Sequence, residues 1–115
     1  MQPEDSEMET TATLLVVDDE ENILSSLVRL FSDEDGFDVI AKSSATDALA
    51  ILEDRPVDII ISDMRMPIMD GATFLAQAAQ RWPDTARMLL TGFSDMDSTV
   101  RAINEGHISH YISKP

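Results

Sequence analysis

Five residues of this 115-residue chain have the types and positions to do chemistry together: Asp18, Asp19, Asp63, Thr91 and Lys114. Each ends a short apolar run. Asp18 and Asp19 follow Leu14-Leu15-Val16-Val17, and Asp63 follows Ile59-Ile60-Ile61-Ser62. Thr91 follows Met88-Leu89-Leu90, and Lys114 follows His110-Tyr111-Ile112-Ser113. Three carboxylates, a hydroxyl and an ammonium are chemically complementary if those run ends share one rim. Two like charges about 4 Å apart at an effective dielectric near 20 repel by about 4 kcal/mol, so the carboxylates call for a cation. An all-oxygen acidic pocket suits Mg²⁺ or Mn²⁺, which keep waters and take few protein carboxylates. Lys114 and the Thr91 hydroxyl are then suited to phosphoryl oxygens, and Gly92 lets the backbone come close. A carboxylate can also be the nucleophile of phosphoryl transfer, and Asp63 is the candidate.

The elements that must position these groups are legible from periodicity. Residues 13–17, 37–41, 57–62, 86–90 and 110–113 read as short strands. Ile59, Ile60 and Ile61 are consecutive β-branched residues, as in a parallel strand covered on both faces. Between the strands lie four helical patterns. The first runs from Glu20 to about Ser32, with acids at its positive end. The second is capped by Ser43 or Ser44, and the third runs over residues 71–80 until Trp82-Pro83 ends it. The fourth starts at Ser94 or Asp95, with Met96, Thr99, Val100 and Ile103 expected inward and Gly106 closing it. On its outer face Asp97 with Arg101, and Arg101 with Glu105, are spaced as ion pairs. Alternation of strand and helix implies right-handed crossovers and a doubly wound parallel sheet, whose ligands lie above the carboxyl ends of the strands.

Composition narrows the function classes. Lys and Arg total 8 against 22 Asp and Glu, a formal net charge of −14, which disfavours direct nucleic acid binding and anionic membranes. No cysteine is present, so thiolate chemistry and disulfides are excluded. No stretch approaches a membrane span and no signal peptide is visible, so a cytoplasmic protein is expected. Residues 1–12 are acidic and polar and are expected to form a disordered leader, with one domain over residues 13–115.

The segments L-L-V-V-D-D-E, I-I-I-S-D-M-R-M-P-I-M-D-G, M-L-L-T-G and Y-I-S-K-P together resemble the receiver domain of two-component response regulators, from about Thr13 to Pro115. The resemblance implies a flavodoxin-like receiver fold, five parallel strands in the order 2-1-3-4-5. It implies that Asp63 is the phosphoacceptor, taking a phosphoryl group from a sensor histidine kinase or phosphotransfer protein in a Mg²⁺-dependent reaction. Asp18, Asp19, Asp63 and the main-chain carbonyl of Arg65 are implied to hold the metal. Thr91 and Tyr111 are implied as a switch pair, with Gly92 and Lys114 at the phosphoryl group and Pro67, Gly71 and Pro115 shaping the loops. The domain is implied to catalyse only its own phosphorylation and dephosphorylation. Any output domain is expected in a longer parent chain.

Two departures from the family pattern stand out. Gly92 occupies a position that is often Ala, and no fifth helix follows Lys114-Pro115. The sheet face shared with the first helix is therefore expected to keep apolar surface uncovered, which favours self-association as a homodimer. Taken singly, Asp18-Asp19 would be a helix cap, Thr91 a turn hydroxyl, Lys114 a surface lysine and Tyr111 a half-buried strand aromatic. Their joint placement at successive strand ends outweighs those readings. A haloacid dehalogenase-like phosphohydrolase needs a second acid two residues after the nucleophile, where this chain has Arg65. The remaining alternative is a phosphorylation-independent receiver-like interaction module, which usually lacks an acidic, Thr or Lys position.

Overall fold

The computed structural model describes residues 11–33 and 36–114. In chain order the elements are β1 (Ala12–Val17), α1 (Glu21–Ser32), β2 (Phe37–Lys42), α2 (Ala45–Asp54) and β3 (Ile59–Asp63). Then follow α3 (Gly71–Arg81), β4 (Ala86–Thr91), one 3-10 turn (Phe93–Asp95), α4 (Met96–Asn104) and β5 (His110–Ser113). All five strands pair in parallel, in the order β2-β1-β3-β4-β5. Strand order reverses direction at β1 and β3, which opens a crevice above their carboxyl ends.

The triple isoleucine gives β3 its central place. Ile60 faces one layer and Ile61 the other, because successive strand side chains alternate. Ile60 joins Leu15, Val17, Phe74, Leu75 and Leu89 beneath α2, α3 and α4. Ile61 joins Leu14, Val16 and Leu90, against which α1 lays Ile23, Leu24, Leu27, Val28 and Phe31. No residue of α1 is fully buried, so its face of the sheet is the more thinly covered. The doubly wound expectation and the strand order both hold.

Local chemistry fixes the helix starts. Ser44 accepts from the Asp47 N–H at 3.1 Å to cap α2, and Asp70 accepts from the Thr73 N–H at 2.8 Å to cap α3. Gly106 takes φ +79° just past α4, a left-handed conformation that glycine adopts without a Cβ clash.

Three expectations need correction. Helix α4 turns Thr99 and Ala102 to the core, while Val100 and Ile103 lie exposed. Small residues let the helix approach the sheet, and the larger apolar pair is left on its flank. The i,i+4 pairs on α4 do not form: Glu105 lies 3.5 Å from His107 Nδ1, and Arg101 lines a groove between α3 and α4. The leader was drawn too long by one residue of strand, since β1 begins at Ala12 and its ladder pairs Ala12 with Phe37. The remainder of that leader, residues 1–10, and Pro115 lie outside the described residues. Among the described residues no helix is long and apolar enough to cross a membrane.

Candidate functional site

Strand register alone assembles the rim. Val17 pairs with Ser62, so Asp18 and Asp63 leave the sheet side by side. Thr91 pairs with Ser113, and the next residue, Lys114, donates its N–H to the Thr91 carbonyl at 2.9 Å. The Lys114 ammonium then reaches across β4 to lie 2.7 Å from Asp63 Oδ1 and 3.9 Å from Glu20 Oε1. Asp18 and Asp63 are both buried.

The acidic cluster differs by one residue from the set expected from sequence. Carboxylate oxygens of Asp18, Glu20 and Asp63 lie within 4.8 Å of one another. Asp19 is exposed and lines the neighbouring cleft with Arg65, Asp70 and Asp95. Glu20 had been read only as a charge at the start of α1. It sits at the N-cap position with extended backbone and no side-chain capping hydrogen bond, and its own N–H donates to Asp18 Oδ1 at 2.8 Å. The third acid of the V-D-D-E run was the available signal.

The electrostatics favour a cation. Burial pushes the Asp18 carboxyl up from 3.8 to about 6; the hydrogen bond from Glu20 opposes this, the Asp63 charge adds to it, Lys114 opposes it and Asp19 adds to it. Asp18 Oδ2 is buried without a hydrogen-bond partner. Asp63 Oδ1 has the Lys114 ammonium, 2.7 Å away, as its partner. Burial alone would lower the Lys114 ammonium, but Asp63, with Asp18 and Glu20, raises it above its ordinary value. A buried, unpartnered Asp18 oxygen in an all-oxygen cluster with Glu20 and Asp63 fits a hard divalent cation.

The remaining residues frame this centre. Gly71 opens α3 against the carbonyl of Asp63, where a Cβ would overlap the oxygen, and its N–H donates to the Met64 carbonyl at 2.7 Å. Pro67 leads into Ile68 at φ +73°, closed by the Met69 N–H donating to the Pro67 carbonyl at 2.7 Å. This is a γ-turn with positive φ, a strained form, and Ile68 is fully exposed on it. A Cβ at Gly92 would meet open space. Tyr111 is 43% exposed on β5, outside the rim.

Buried Thr91 lies with its hydroxyl 3.0 Å from that of Thr99, and Thr99 Oγ1 is 2.9 Å from the Asp95 carbonyl oxygen. The Arg65 side chain folds onto Asp95, with Nη2 to Oδ1 at 2.8 Å and Nε to both carboxylate oxygens at 3.0 Å. The hydrogen bonds and charge of Asp95 raise the Arg65 guanidinium further above its ordinary range.

The family described as response regulator receiver domain matches residues 14–115. The chain belongs to that family. It is 40% identical over 104 residues to the hydrogenase transcriptional regulatory protein HoxA of Cupriavidus necator, covering 90% of this chain and 21% of that protein. It is 35% identical over 100 residues to the DNA-binding transcriptional regulator NtrC of Salmonella typhimurium, covering 87% of this chain and 21% of that protein. Among solved structures, the signal receiver domain of an HD domain-containing protein from Pseudomonas fluorescens is 42% identical with a TM-score of 0.85, over 92% of this chain and 77% of that one. This receiver domain therefore spans about a fifth of the length of the curated relatives it matches. A receiver is a regulatory module of two-component systems, and phosphoacceptance is its role there.

Proposed function

We propose that Asp63 accepts a phosphoryl group from a phosphohistidine on a sensor kinase or phosphotransfer protein, and that the altered surface regulates an output domain of a longer cytoplasmic protein. The observation that carries this reading is the setting of Asp63: buried, 2.7 Å from the Lys114 ammonium and clustered with Asp18 and Glu20. An Asp63 oxygen attacks phosphorus, the bond to the donor nitrogen breaks, and the imidazole leaves with its electron pair. Lys114 supplies positive charge where phosphoryl oxygens crowd the carboxylate. Thr91, at the end of the adjacent strand, would donate its hydroxyl to a phosphoryl oxygen, with Gly92 beside it adding no side chain.

Asp18, Asp63 and Glu20 would hold Mg²⁺, with Asp19 and the Arg65 main-chain carbonyl as further candidates. The bound ion would neutralise the carboxylates and balance phosphoryl charge. Tyr111, exposed beside Thr91's strand, is placed to report the change as the Thr91–Tyr111 pair rearranges. The domain would thus catalyse only its own phosphorylation and dephosphorylation.

Intact-protein mass after treatment with a small phosphodonor and Mg²⁺ tests this. One adduct is expected, lost in Asp63→Asn and in chelator. A folded, Mg²⁺-supplied protein that takes no adduct would instead be a phosphorylation-independent interaction module.

A further inference from the structure

The Arg65–Asp95 pair joins the loop that follows Asp63 to the 3-10 turn that follows Thr91, and each partner has another use for its side chain. Asp95 is the N-cap residue of α4, yet its carboxylate makes no capping hydrogen bond. An aspartate at that position normally accepts from the second or third helical N–H, which here belong to Asp97 and Ser98. The carboxylate, only 14% exposed, is held by Arg65 instead. The Arg65 head is 71% exposed and two residues from Asp63, within reach of an anion placed there.

The pair is also linked to Thr91. Thr99 Oγ1 lies 3.0 Å from the Thr91 hydroxyl and 2.9 Å from the Asp95 carbonyl, and the Thr91 hydroxyl donates to the Gly92 carbonyl at 3.3 Å, so the Thr91 hydroxyl is held by this turn and α4. The Asp95 N–H donates to the Gly92 carbonyl at 3.1 Å and completes the turn. Arg65 therefore anchors the segment that keeps Thr91 in its resting place.

We propose that Arg65 and Asp95 form an exchangeable clasp: a phosphoryl group on Asp63 draws the guanidinium from Asp95, Asp95 turns to cap α4, and the loosened turn frees Thr91. This rests on the phosphoacceptor reading of Asp63. A dianionic phosphoryl group offers Arg65 paired oxygens and more charge than one carboxylate does. The released Asp95 recovers a helix cap, so neither partner is stranded and the resting and switched arrangements stay close in free energy. Asp95 is a positioning residue, acting on phosphoryl binding through Arg65 and Thr91, whereas Arg65 meets the phosphoryl group itself.

The test is a double-mutant cycle read by beryllofluoride binding in Mg²⁺, with amide NMR of Asp97 and Ser98. Asp95→Asn retains a capping side chain but removes the ion pair, so it should tighten beryllofluoride binding about threefold to fivefold. In an Arg65→Ala background the same change should have no effect. Arg65→Ala without beryllofluoride should move the Asp97 or Ser98 amide toward the position it takes in the beryllofluoride-bound wild type. Equal effects of Asp95→Asn in both backgrounds, or unmoved amides, would overturn the clasp while leaving phosphoacceptance intact. A folded wild type that binds no beryllofluoride at Asp63 would overturn both.

Discussion

At the scale of single residues, the site is governed by the cost of keeping Asp18 ionised in a buried place. Its folded-state pKa of about 6 lies above the ordinary 3.8, so between those values the native chain holds more protons than the unfolded one. Stability from this group is therefore greatest below about pH 4 and is lost as pH rises through about 6. The gap corresponds to on the order of 3 kcal/mol. In chelator, the urea midpoint of the wild type should fall across that window more steeply than that of Asp18→Asn, and an equal slope in the two proteins would exclude Asp18 as its source. The chemistry of Asp18, Asp63, Thr91 and Lys114 was legible in sequence because each directly ends an apolar run, and strand register does the rest. Glu20 was missed because a glutamate at a helix start has a sufficient explanation in the helix dipole. The Arg65–Asp95 contact spans 30 residues and two loops, and no periodicity encodes it.

At the scale of elements, the β3–α3 connection is where backbone geometry and site meet. Gly71 is obligatory there, since a Cβ would press on the carbonyl of Asp63, the acceptor residue itself, which also accepts from the Ser62 hydroxyl at 3.0 Å. Gly71→Ala should destabilise the domain by about 2 kcal/mol, by analogy with overpacked cores, and should shift the Asp63 and Met64 amide resonances. Three residues earlier the reverse holds. Ile68 is a β-branched residue at φ +73° with nothing packed on it, a conformation costing about 1–2 kcal/mol. Ile68→Asn, which tolerates positive φ, should raise the melting temperature by about 4 °C or more; a fall would mean that the exposed isoleucine has a partner within the chain. Neither effect is visible from composition, because the sequence shows a proline loop without its dihedral angles. Helix α4 was misread for a related reason. Met96, Thr99, Val100 and Ile103 fit helical spacing, but so does the Thr99–Ala102 face, and only close approach to the sheet selects between them.

At the scale of the whole molecule, the fold was legible because alternating strands and helices admit few right-handed windings, and a β3 that opens on three isoleucines belongs at the centre. What the winding creates is concentrated charge: a chain of net charge −14 draws acids from β1 and β3 to one end of its sheet, where Lys114 is the cation inside the cluster. Such a molecule is destabilised by its own field in two separable ways. Diffuse repulsion is screened by any salt, since the Debye length falls from about 30 Å at 0.01 M to about 8 Å at 0.15 M. Repulsion within the buried cluster is shielded from bulk ions and yields only to a cation that enters it. Raising NaCl over that range should therefore raise the melting temperature of the wild type and of Asp18→Asn alike. Mg²⁺ added at constant ionic strength should raise the wild type further, growing with the logarithm of its concentration above saturation, and should do much less for Asp18→Asn. A Mg²⁺ increment of equal size in both proteins would place the ion in the diffuse field rather than at Asp18, Glu20 and Asp63.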